Sequence, residues 1–167
     1  MKALRNAKIA AEYVALRTKL WPDVKEEDLW PRTNQKGFTI MPRTMPLILQ
    51  IMDSLAKGKP VSRTYLDLWC RAHNESVVKL EKHGQMAFYA GYRGERREQS
   101  WKDRLRELRK LGFIDIKPGS NGEFSFALIL NPHAVIKRLH KNTNSGVPKD
   151  LFNTLIERGG EIKAKDL

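Results

Sequence analysis

Residues 101–116 read Trp101-Lys102-Asp103-Arg104-Leu105-Arg106-Glu107-Leu108-Arg109-Lys110-Leu111-Gly112-Phe113-Ile114-Asp115-Ile116. Trp101, Leu105 and Leu108 recur at spacings of four and three, which is the period of a helix that buries one side. Gly112 stands where such a helix needs a left-handed residue to stop, and Phe113 to Lys117 changes to the alternation of a strand. Upstream, the same pattern predicts a helix running from Glu95 to Leu111. Gly91-Tyr92-Arg93-Gly94, with two glycines in four residues, is a tight turn between that helix and a short one over Gln85 to Ala90, with Met86 and Tyr89 or Ala90 inward. Before it, Ser76-Val77-Val78-Lys79-Leu80 is short and β-branched and reads as a strand. Downstream, the turn Pro118-Gly119-Ser120-Asn121-Gly122 separates the first strand from a second, Glu123 to Leu130, so the two form a hairpin.

Further out the pattern is helical. Ser62 caps a helix with Leu66, Trp69 and Cys70 on one side, fading at His73-Asn74. Thr44 is the expected N-cap of a buried helix with Pro46 in its first turn and Leu47, Ile48, Ile51, Met52 and Leu55 inward, ended by Gly58. Pro22, Pro31 and Pro42 make residues 22–43 an irregular connector, in which Phe38 to Met41 is expected to form a short strand. Leu4, Ala7, Ala11 and Val14 mark an amphipathic helix from Lys2 to Leu20. A lone helix of that length is marginal in water, so its stripe must pack on the rest of the chain or on a second copy. Asn131-Pro132 caps a basic helix, His133 to Lys141. After a polar link at Asn142 to Gly146, a helix from Lys149 to Arg158 buries Leu151, Phe152 and Leu155, completing a core or a dimer contact. Glu161 to Leu167 is expected to be loosely held. The organisation expected is 1–43 as helix and connector, 44–142 as the principal domain and 143–167 as a helical extension.

Thirty-one Lys and Arg against nineteen Asp and Glu give a formal charge of +12 over 167 residues, a surface that attracts polyanions. No run of 18 apolar residues exists and the first helix is studded with charge, so neither a membrane span nor a secretory signal is expected, and the protein should be soluble and intracellular. Cys70 stands alone, which excludes an intramolecular disulfide, and reads as a small buried apolar group. His73, His83, His133 and His140 fall at no metal-ligand spacing, so no metal and no cofactor is expected. A nuclease needs clustered carboxylates with Lys or His around a metal or nucleophile, and the chain offers only Glu26-Glu27-Asp28 in the connector, so no catalytic residue is assigned and no enzyme is expected.

The order helix, strand, helix, turn, helix, strand, loop, strand from Ser62 to Asn131 resembles the winged helix-turn-helix domains of transcriptional regulators and plasmid replication initiators. Leu105 to Ile114 is similar to the LxxLxxLGxI ending of a recognition helix as it passes into the wing. The resemblance implies an α+β, mainly helical fold, a winged helix-turn-helix with extra N- and C-terminal helices. It implies a sequence-specific protein for double-stranded DNA, a cytoplasmic, nucleoid-associated transcriptional regulator acting as a symmetric dimer, which reads DNA with the helix 95–111 and a wing at 117–123.

Helical phase points the same way. With Trp101, Leu105 and Leu108 inward, steps of about 100° place Arg96, Gln99, Asp103, Arg106 and Lys110 on the opposite side, flanked by Ser100, Lys102 and Glu107. Arg93, Arg96, Arg97, Lys102, Arg104, Arg106, Arg109 and Lys110 outnumber the four acidic residues of that stretch. The expected DNA contacts are Arg93, Arg96, Arg97, Gln99, Ser100, Lys102, Asp103, Arg106 and Lys110, with Lys117, Ser120 and Asn121 of the hairpin turn. Arg96 and Gln99, near the end that enters a groove, are expected to read bases, while Lys102 and Arg106 anchor phosphates. Asp103 has to accept from a cytosine amino group or pair with Arg106, and the hairpin turn is either a DNA contact or a plain turn. Three alternatives share the same residues: a solvated helix face laced with ion pairs, a replication or maintenance factor of a mobile element, and a module for an acidic protein. RNA is disfavoured by the lack of an RNP-type aromatic strand and a KH-type loop.

Overall fold

The computed structural model describes residues 2–29, 36–73, 75–142 and 144–167, and the chain divides into two compact units, Met1–Phe38 and Thr39–Leu167. The first unit holds α1 (Lys2–Leu20) and a 3-10 turn at Glu26–Asp28. Arg17 donates to the Glu26 carboxylate, which ties the helix end to that turn. Ala7, Ala11 and Val14 of the expected stripe are exposed.

The second unit is α+β and mainly helical. It runs α2 (Met45–Leu55), α3 (Ser62–Arg71), β1 (Val77–Lys79), α4 (His83–Tyr89), α5 (Arg97–Leu111), β2 (Ile114–Gly119), β3 (Gly122–Ile129), α6 (Pro132–Lys141) and α7 (Lys149–Ile162). Among the described residues the whole chain has seven α-helices and one three-stranded antiparallel sheet, ordered β1-β3-β2. Val77 lies opposite Leu128 and Lys79 opposite Phe126 on one side of β3, while Ile114 faces Ile129 and Lys117 faces Phe126 on the other. The core gathers Ile48, Ile51 and Met52 of α2, Tyr65 and Leu68 of α3, Trp101, Leu105 and Leu108 of α5, Phe113, Ile116 and Ala127 at the sheet, Ile136 of α6 and Leu155 of α7. Each fully buried large aliphatic contributes about 1.5–3 kcal/mol, so the face of α5 set by Leu105 and Leu108 is strongly held. Among the described residues no helix is long and apolar enough to cross a membrane.

Several expectations are corrected. Phe38 to Met41 forms no strand; the Ile40 carbonyl instead accepts from the Trp69 indole N–H at 2.8 Å, taking an acceptor a ladder would need. Ser62 is the first helical residue rather than the cap. The carboxylate of Asp53, on the preceding helix, accepts from the backbone N–H groups of Val61 (2.7 Å) and Ser62 (2.8 Å) and from the Ser62 hydroxyl (2.7 Å). The buried face of α3 is Thr64, Tyr65 and Leu68, and Cys70 is exposed. Tyr65 and Leu68 are fully buried, and the Tyr65 ring meets Phe113 edge-on at 6.2 Å, which turns that side of the helix to the core. At the end of α4 Tyr89 is exposed and Ala90, the residue that caps it, is inward. Thr44 occupies the cap position of α2 but its hydroxyl bonds the His133 ring instead, at 2.7 Å.

The hairpin turn is shorter than expected. Lys117, Pro118 and Gly119 belong to β2, leaving Ser120 and Asn121 between the strands. The register shifts between Lys117 and Gly119, where Pro118 has no N–H to give to a ladder. Glu161 to Leu167 is tied down: α7 continues to Ile162, the Asp166 carboxylate meets the His133 ring at 2.9 Å, and Leu167 packs against the core. A Cβ on Gly159 would meet Leu167 at 2.6 Å.

Candidate nucleic-acid interface

The residues around α5 are placed by its buried side and by the turns at its two ends. Trp101, Leu105 and Leu108 are fully buried, so the opposite side is presented outward by helical geometry. At the C-terminal end Gly112 has φ +86°, and a side chain there would collide with the Arg138 guanidinium. At the N-terminal end Gly91 has φ +90°, and its missing Cβ leaves room for Arg63. Arg93 serves this turn: its guanidinium donates to the carbonyls of Phe88 (2.8 Å) and Tyr92 (3.0 Å) and lies 4.0 Å over the Phe88 ring.

The expected contact residues fall into three groups. Arg96, at the cap of α5, and Arg97, its first residue, are exposed, and their side chains make no hydrogen bond or ion pair among the described residues. Lys102 is paired: its ammonium donates to Glu98 at 2.6 Å, lies 6.0 Å from the centre of the Phe124 ring, and is only 23% exposed. That hydrogen bond is the largest influence holding the Glu98 carboxyl below the usual range. Ser100 is half-buried on the far flank.

The third group is a network. Oδ1 of Asp103 accepts from Gln99 Nε2 at 2.9 Å and from Arg106 Nη1 at 3.0 Å. Arg106 reaches across to Glu123 of β3 at 3.4 Å and rests 4.8 Å over the Phe124 ring. Arg106 therefore links helix to hairpin. Lys110 lies 3.6 Å from Glu107 and is 77% exposed.

At the hairpin, Lys117 pairs with Asp115 at 3.3 Å. The Asp115 carboxyl is held below the usual range by the Ile116 N–H first and by Lys117 after it. The Asn121 amide donates to the Leu80 carbonyl at 3.3 Å while its backbone N–H donates to the Ser125 hydroxyl at 3.0 Å, so the turn is fastened onto the segment between β1 and α4. His83 supports the same junction, its Nε2 lying 2.7 Å from the Phe124 carbonyl and 3.0 Å from that of Leu80. A cleft of about 260 Å³ is lined by Lys82, His83, Glu98 and Asn121, which brings the start of α4, the first turn of α5 and the hairpin turn together.

Lys82, His83 and Glu123 were outside the expected set. The expected helix began at Gln85, two residues after the observed start at His83, which placed Lys82 and His83 in a loop. Lys82 adopts the left-handed conformation, φ +53°, at the cap of α4, a geometry no composition pattern announces. Glu123 matters only through a helix-to-strand contact 17 residues apart.

No protein-family model, no curated protein and no solved structure matches this chain.

Proposed function

We propose that residues 62–131 form a winged helix-turn-helix and that the unit Thr39–Leu167 binds double-stranded DNA in a sequence-specific way, with α5 in the major groove and the β2–β3 turn as the wing. The protein then regulates transcription by occupying an operator, without chemistry on the strands. The observation that carries this is the two-sidedness of α5. Its Trp101–Leu105–Leu108 side is locked into the core, while its N-terminal end offers Arg96 and Arg97 exposed and without side-chain partners among the described residues. A groove-binding helix needs that combination, one apolar side to hold it and free cations at the end that enters.

Three features lend support. The order α3-β1-α4-α5-β2-β3, with the short β1 pairing on β3, is compatible with the winged-helix reading. The cleft at Lys82, His83, Glu98 and Asn121 puts the hairpin turn beside the first turn of α5. The charge of +12 supplies long-range attraction to phosphates. Among the described residues Lys82, Arg96 and Arg97 are exposed and make no side-chain ion pair, which leaves Lys82 and Arg97 for phosphate and Arg96 for a base edge, whereas Lys102 is engaged with Glu98 and Arg106 with Asp103 and Glu123, Arg106 bracing the helix against the hairpin.

Mobility shifts over a salt series test the proposal. Binding to duplex DNA should fall steeply with salt, with log affinity declining by roughly 0.9 per phosphate contacted for each unit of log salt. Replacing Lys82 and Arg97 together with alanine should flatten that slope by about 2. A flat salt response in the parent protein, or no shift on any duplex at low salt, overturns it.

A further inference from the structure

Asp103 sits in the middle of the outward side of α5, flanked by Gln99 and Arg106, and its side chain is 45% exposed. A carboxylate there is unfavourable against a phosphate backbone, so its surroundings decide what it is for. Both hydrogen bonds it receives, from Gln99 and from Arg106, end on the same oxygen, Oδ1. Oδ2 accepts none among the described residues. The donors come from one turn before and one turn after, and Arg106 is itself held by Glu123 and Phe124 of β3. The carboxylate is thus fixed at one oxygen and open at the other, a pre-set acceptor with no proton to offer. Arg106, Asp103 and Glu123 together carry one negative charge, which is no phosphate site.

In the major groove an acceptor of this kind is satisfied by an exocyclic amino group and repelled by O6 and N7 of guanine or O4 of thymine. Adenine offers an amino group too, but with the N7 acceptor beside it, whereas cytosine presents N4 alone. We propose that Asp103 is a base-selecting residue that requires cytosine under the middle of α5, with Gln99 and Arg106 as the positioning residues that hold it. The inference rests on the proposal that α5 enters the major groove.

Selection of bound duplexes from a randomised library, run with the parent, Asp103→Asn and Asp103→Ala, is the test. The parent should enrich cytosine at one position, and a thymine there should cost it about 5- to 150-fold in affinity. In Asp103→Asn the carbonyl oxygen stays with Gln99 and Arg106, so the open position becomes an N–H donor. Cytosine N4 and thymine O4 occupy corresponding sites with opposite character, and the preference should switch from cytosine to thymine. Asp103→Ala should lose the preference at that position alone and bind random duplex more tightly, having shed a negative charge. Thermal melting of both variants checks that the exposed substitution leaves the fold intact. A parent that enriches no cytosine, or variants that select the parent's motif unaltered, overturns the assignment while salt-dependent binding persists. A parent that retains no duplex overturns the groove reading and this assignment with it.

Discussion

Trp101 is fully buried, its ring centre 5.5 Å from that of His83, and its indole N–H has no hydrogen-bond partner among the described residues. Its contribution is therefore packing, and Trp101→Ala should cost about 3–5 kcal/mol of stability in urea unfolding. A variant that melts like the parent but fails to bind DNA would make Trp101 a surface contact instead. This residue was legible in the sequence because Trp101, Leu105 and Leu108 leave no other apolar side for the helix. Partnerships were less legible. Gln99 and Arg106 both look like free polar groups on a helical wheel, yet both converge on one oxygen of Asp103. Asp103 with Arg106 was one of the two readings the spacing allowed, but the link from Arg106 to Glu123 depends on how closely the hairpin approaches the helix, which periodicity does not contain. Tyr65 shows the converse: among the described residues its buried hydroxyl has no partner, and burial pushes its ionisation up, so the phenol stays neutral and acts as part of the core.

At the scale of elements, α3 is the instructive case. Its sequence reads as a helix with Leu66, Trp69 and Cys70 inward, yet the buried side is Thr64, Tyr65 and Leu68, held by the packing of Tyr65 against Phe113 on a distant element. Its start is equally a matter of tertiary structure. Asp53 satisfies two backbone N–H groups at the first turn of α3 from another helix, so a search for a cap adjacent in sequence finds Ser62 and misses the group that does the capping. Asp53→Ala should lower stability by about 1–2 kcal/mol, in the range of a lost cap, measured by chemical denaturation. Ser62→Ala should cost less, since the two backbone bonds remain. The hairpin shows the opposite balance: glycines and Asn121 place the turn correctly, and only its length differs, because β2 tolerates Pro118 at a register shift.

Across the whole molecule, the second unit is closed by residues far apart in the chain. Thr44 bonds the His133 ring at 2.7 Å, His133 meets Asp166 at 2.9 Å, and Asn131 donates to the same carboxylate at 3.0 Å. Burial raises the Asp166 carboxyl, but the hydrogen bonds from Asn131 and His133 outweigh it and the net shift is downward. A carboxyl lowered on folding stabilises the fold fully above its unfolded value, about 3.9, and ceases to do so as pH falls through the folded value. The parent should therefore lose more stability between pH 6 and pH 3 than Asp166→Asn does, read as the denaturation midpoint at each pH. Equal losses would show that the bridge carries no linkage. Separations of 89 and 33 residues hide this bridge from any local pattern, which is why the last residues looked loose. The same bridge fixes where the unit can be tethered. Thr44 and Asp166 are one imidazole apart and share a cavity wall with Ile129, the end of β3 opposite the Ser120–Asn121 turn. An eight-residue strand spans roughly 25 Å at about 3.3 Å per residue. A fluorophore or surface anchor joined after Leu167 thus leaves from that corner, a strand's length from the hairpin tip.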